Sequence, residues 1–98
     1  MNNDKKKVKP QTMQLRKKKF LLLAQRSLEQ INCEIKNPQK HKKDNMHYIE
    51  EEIEKMKEAL STMIFQPTYP LHIVDHWHPK DKFGDLLLDL YYAYLDLE

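Results

Sequence analysis

The densest group of side chains able to do chemistry is His72, Asp75, His76 and His78, gathered around Trp77. Imidazoles and carboxylates are natural ligands for zinc and other first-row metals. His72 and His76 stand at i and i+4, so a helix would place them on one face. Pro67, Pro70 and Pro79 interrupt this part of the chain and argue for an extended path instead. On an extended strand His72, His76 and His78 project to one side, but about 13 Å separates His72 from His76, too far for one ion. The expectation is therefore a loop whose histidines face water while Ile73 and Trp77 face the core. No metal and no cofactor is expected. A small metal-binding protein centred on His72–His78 is kept as a third functional reading.

Other reactive constellations are weaker. No Ser/His/Asp order, nucleophile elbow or phosphate-binding loop occurs, and Gly84 is the only glycine. Asp85, Asp89 and Asp96 fall along one narrow side and read as a solvated face. Cys33 is the only cysteine. It stands beside the carboxylate of Glu34, is poorly placed as a nucleophile, and is expected to be partly buried. These features indicate no catalysis and no small-molecule substrate. A single cysteine allows no intrachain disulfide, which suits a reducing compartment. Lys17-Lys18-Lys19 followed by Phe20–Ala24 mimics the start of a signal peptide, but polar Gln25-Arg26 ends the apolar run too early. No run approaches the roughly 20 apolar residues of a membrane span. A cytoplasmic protein is expected.

Charge is the most distinctive global feature. The net charge is only +2, yet residues 1–20 carry Lys5, Lys6, Lys7, Lys9, Arg16, Lys17, Lys18 and Lys19 against Asp4 alone. Residues 83–98 carry Asp85, Asp89, Asp96 and Glu98 with no base. The basic segment could neutralise several phosphates and give salt-dependent binding to nucleic acid. It lacks interleaved aromatics and a reading helix, so sequence-specific recognition is not indicated. Arg16–Lys19 would also lie in the first turns of a helix, where cations oppose the dipole, a mild conflict that an anionic partner would relieve.

The elements that must position these residues read as helices. A chain of 98 residues can build one domain with one modest core. Residues 1–11 lack apolar periodicity and are expected to be a disordered basic arm, followed by a single helical domain over 12–98. A first helix, capped by Thr12, runs to about Lys36, with Leu21, Ala24, Leu28, Ile31 and Ile35 at spacings of 3, 4, 3 and 4 and Met13 and Phe20 nearby. Asn37-Pro38 stops it. A second helix over 45–65, capped by Asp44 or Asn45, carries the cleanest stripe: Met46, Ile49, Ile53, Met56, Leu60 and Met63. Residues 66–81 form the extended, proline-bounded strap. Asp81 caps a third helix over 82–97, with Phe83, Leu87, Leu90, Tyr94 and Leu97 on its inner face.

The resulting expectation is an all-α, three-helix arrangement: a helical hairpin, a strap and a C-terminal helix. The last helix is apolar over more than half its circumference. Its second face, Leu88, Tyr91, Tyr92 and Leu95, is therefore assigned to an interface together with Leu15 and Leu22 of the first helix. The favoured function is a small non-enzymatic protein–protein interaction or regulatory module, self-associating as a homodimer. The alternative is a nucleic-acid-binding accessory protein that uses the basic segment.

Overall fold

The computed structural model describes residues 10–37 and 41–97, a four-helix, all-α arrangement with no strand among the described residues. The helices are α1 (Pro10–Lys36), α2 (Lys43–Ala59), α3 (Tyr69–His76) and α4 (Lys82–Leu95). Of the arm, Lys5, Lys6, Lys7 and Lys9 lie outside the described residues. Pro10 and Gln11 belong to α1 and not to the arm. Proline fits there because a first-turn N–H has no helical partner and its fixed φ is already helical. The expected Thr12 cap is thus overtaken by an earlier start.

Helix α1 is the long member that both other long helices pack against. Phe20, Ala24, Ser27 and Ile31 are its fully buried positions, while Leu28 and Ile35 are half-buried and Leu21 is exposed. The buried line is rotated from the expected stripe because α1 serves two neighbours, α2 and α4, not one. Small Ala24 and Ser27 fill the centre of that double contact. Both α2 and α4 run antiparallel to α1. Leu60 after α2 and Leu97 after α4 line one cavity with Met13 and Lys17 near the start of α1. At the same end the Phe20 and Tyr94 rings stand 5.5 Å apart.

Helix α2 buries Met46, Ile49, Ile53 and Met56 as its spacing demands, and with them Glu52. Neither Asp44 nor Asn45 caps it; Lys42 occupies the cap position without a side-chain bond. The helix ends at Ala59, not near residue 65. Leu60 turns left-handed (φ 56°) and its N–H bonds Met56 O at 2.9 Å. The turn is held from outside, where the Tyr94 hydroxyl donates to the Ser61 and Phe65 carbonyls, 2.7 Å from each. Met63, placed on the stripe by periodicity, is consequently 89% exposed.

The strap is where expectation and structure differ most. Residues 69–76 form the two-turn helix α3, with Pro70 in its first turn. Prolines mark a boundary in both readings, but Pro70 stands where a helix accepts proline. The remaining obstacle is the bare N-terminus of α3, since Thr68 supplies no side-chain cap. Glu52 of α2 removes it. Its carboxylate accepts from Tyr69 N–H at 2.7 Å, Thr68 N–H at 2.9 Å and the Thr68 hydroxyl at 2.9 Å. An anion on the free N–H groups also suits the helix dipole.

Helix α4 follows its expected pattern. Asp81 caps it through Phe83 N–H at 2.9 Å and Gly84 N–H at 3.4 Å. Leu87, Leu90, Tyr94 and Leu97 are buried with Ala93, and Asp85, Asp89, Tyr92 and Asp96 are exposed. Helix α3 lies across it. A Cβ on Gly84 would stand 3.3 Å from the Trp77 ring and 3.4 Å from Ile73, so glycine permits the close approach. The Tyr69 hydroxyl donates to Leu87 O at 2.7 Å and ties the start of α3 to α4 about one turn beyond Gly84.

Candidate functional site

Because α3 is a helix, His72 and His76 do share a face. Their rings lie 4.9 Å apart, not 13 Å. They line an open cavity of about 500 Å³ together with His41, Lys42, Asn45, Trp77, His78 and Asp81. Three elements meet here: the start of α2, the end of α3, and the turn into α4. His72 also presents its ring edge-on to Tyr48 of α2, at 6.0 Å between centroids.

His41 organises the cavity. Its ring stacks on Trp77 at 3.9 Å and meets Phe83 edge-on at 5.9 Å. Its Nε2 lies 3.0 Å from Asp81 Oδ2. An ionised carboxylate only accepts, so Nε2 carries the proton and donates. Asp81 thus caps α4 with one oxygen and fixes His41 with the other. Nothing in the sequence pairs residues 40 positions apart, so this contact left no local signal.

A hydrogen bond assigns His78 as well. His78 Nδ1 accepts from Lys80 N–H at 3.0 Å. A neutral ring that accepts through Nδ1 carries its proton on Nε2 and has no lone pair left for a metal. His72 Nε2 is buried and has no hydrogen-bond partner. Among the described residues, no group of three or more His, Cys, Asp or Glu side chains could hold a metal ion.

The basic candidates divide. Arg16 is half-buried and its guanidinium donates to Asp96 O, just past the end of α4, at 3.2 Å. Lys17, Lys18 and Lys19 are exposed. The antiparallel packing sets this cationic start of α1 beside the C-terminal ends of α2 and α4, where cations are favourable. The apparent conflict with the dipole of α1 therefore has an internal resolution.

The interface candidates divide as well. Leu88 and Tyr91 are half-buried, and Tyr92 and Leu95 are exposed, all along one side of α4. Leu88 shares a groove of about 300 Å³ with Val74 and Trp77. Val74 of α3, 66% exposed, belongs to that apolar side, while Leu71, 67% exposed, does not line the groove. Leu15 and Leu22 are also exposed, but sit about half a turn around α1 from its buried line and point away from α4. The six residues do not form one patch. Cys33 is exposed, not partly buried.

Glu52 is the other functional-grade residue missed from sequence. It stands three residues after Ile49 and four before Met56, so a carboxylate on the apolar face was the available signal. Tyr69 was read as part of the strap. Its hydroxyl is held well above the ordinary phenol value of 10.0, first by burial and then by the Glu52 charge.

The described residues form a four-helix α arrangement with an imidazole-rich cavity and an apolar side on α3 and α4. Comparison with known proteins gives no match to a family model, to a curated protein or to a solved structure. No described helix is long and apolar enough to cross a membrane.

Proposed function

We propose that the chain is a small, non-enzymatic, cytoplasmic interaction module that associates with a second copy of itself through the α3–α4 face. The uncovered apolar side carries this reading. Val74 on α3 meets Leu88 of α4 in one groove, Tyr92 and Leu95 extend the same side of α4, and the Tyr91 and Tyr92 rings stand tilted beside one another at 5.9 Å. Single-chain proteins rarely leave contiguous apolar patches beyond roughly a few hundred Å² open to water. Tyrosines beside leucines are a composition that suits an interface.

Charge favours a second copy as the occupant. Exposed Asp85, Asp89 and Asp96 border the face, and no ion pair to them occurs among the described residues. Lys17, Lys18 and Lys19 are equally exposed and equally without an ion pair among the described residues. A two-fold pairing can set the acidic helix of one chain against the basic helix start of the other.

Sedimentation equilibrium at micromolar concentration tests this. A dimer is expected, and Leu95→Glu should dissociate it with helicity retained. Leu88→Glu should do the same, at some cost in stability because Leu88 packs partly on the core. A parent protein of one-chain mass overturns the proposal. The alternative, an accessory protein that binds nucleic acid, draws on the exposure of Lys17–Lys19. Salt-sensitive binding to a duplex or single strand at low salt, weakened by charge removal there, would favour it.

A further inference from the structure

The imidazole-rich cavity contains two rings with a free role. His41 is committed to Asp81, and His78 receives Lys80 N–H. Asp81 is occupied at both oxygens. His72 and His76 remain, one helical turn apart, with ring centroids at 4.9 Å.

We propose that His72 and His76 chelate one borderline divalent metal ion, Zn²⁺ or a chemical equivalent, with water completing the coordination. Geometry supports this first. Zn–N bonds of about 2.0–2.1 Å, with each ring centre about 1.1–1.2 Å further along the same line, put the two centroids about 4.5–5.2 Å apart for N–metal–N angles between a right angle and the tetrahedral one. The observed 4.9 Å falls inside that window.

A second observation points to a missing ligand. His72 Nε2 is removed from water and makes no hydrogen bond. Buried polar groups without partners are uncommon, and each calls for a reason. A metal between His72 and the exposed ring of His76 would give that nitrogen its partner. The open cavity of about 500 Å³ leaves room for the remaining ligands as water. Lys42, which lines the same cavity, opposes a cation, so the affinity is expected to be moderate.

The site is independent of self-association, and untagged full-length protein suffices to test it. Calorimetric titration with Zn²⁺ alone at pH 7.5 should give one saturable site per chain and a raised Tm. His76→Ala, on an exposed ring, should weaken binding at least about tenfold, because the second ligand of a chelate acts at high effective concentration. His72→Ala should do the same, with far-UV circular dichroism confirming that the helices remain. His47→Ala and His78→Ala should leave binding within about twofold, since neither ring belongs to the chelate. Affinity should fall in acid, because protons compete with the metal for the ligand nitrogens. Absence of saturable binding overturns the proposal. So does binding that survives both His72→Ala and His76→Ala, or that is lost only with His41→Ala.

Discussion

Glu52→Ala is the sharpest test of how this fold is held. Glu52 is 8% exposed and spans two helices: it sits on α2 and satisfies the first N–H groups of α3. Truncation removes the cap of α3, which leaves the buried Tyr69 N–H without an acceptor at about 1–3 kcal/mol and takes a second bond, worth about 1 kcal/mol, from Thr68 N–H. The dipole contribution adds roughly 0.3–1 kcal/mol, and relief of the buried charge offsets part of the sum. A net loss of about 3 kcal/mol is expected. For a domain of this size that corresponds to a fall in Tm of about 12–24 °C. Glu52→Gln keeps an acceptor oxygen but not the charge and should lose about 1–2 kcal/mol. Trp77, the only tryptophan, directly follows α3 and reports its release. Urea titration of Glu52→Ala should show the Trp77 fluorescence change at lower denaturant than the loss of helical ellipticity. A Glu52→Ala protein within about 0.5 kcal/mol of the parent, with coincident transitions, would refute the argument that α3 is capped from α2.

Three further outcomes follow from the packing. Ile53→Ala should lose about 2–4 kcal/mol in chemical denaturation, because Ile53 is fully buried between α2 and its neighbours; unchanged stability would exclude this core. Gly84→Val should lower stability and loosen α3 from α4, since a branched side chain must displace Trp77 and Ile73; a shift in Trp77 emission with α4 intact checks it. Alkaline stability should depend on Tyr69. Its folded ionisation lies above that of the unfolded phenol, so stability is complete below about pH 10 and falls as pH rises beyond it, by up to about 1.4 kcal/mol per unit. Tyr69→Phe should lose about 1 kcal/mol at neutral pH through its bond to Leu87 O and then show a shallower alkaline decline; an unchanged slope above pH 10 would contradict this.

Periodic apolar spacing reports a helix that one strong neighbour faces, and it succeeds on α2 and α4 for that reason. Met46, Ile49, Ile53 and Met56 are buried where a single stripe predicts. The Asp81 cap was legible because capping is a local event, complete within three residues. The two largest differences from the sequence pattern, the end of α2 and the existence of α3, involve a partner distant in sequence. Helix α2 ends at Ala59, and the turn after it is bound at Ser61 by Tyr94, 33 residues away. Helix α3 exists because Glu52, 17 residues earlier, satisfies the N–H groups that a proline-bounded segment leaves bare. Without that carboxylate, the eight residues of α3 are too short to be stable alone, and an extended strap is the sound local inference. The site depends on the same long-range contact. Rejection of a shared ligand at His72 and His76 rested on the strap, not on the histidines. Once Glu52 makes the segment helical, i and i+4 become neighbours and the 13 Å objection disappears. A charged residue at an apolar-face position is thus the sequence signal to weigh, because burial of Glu52 requires donors, and the bare start of a short helix is a ready source of them.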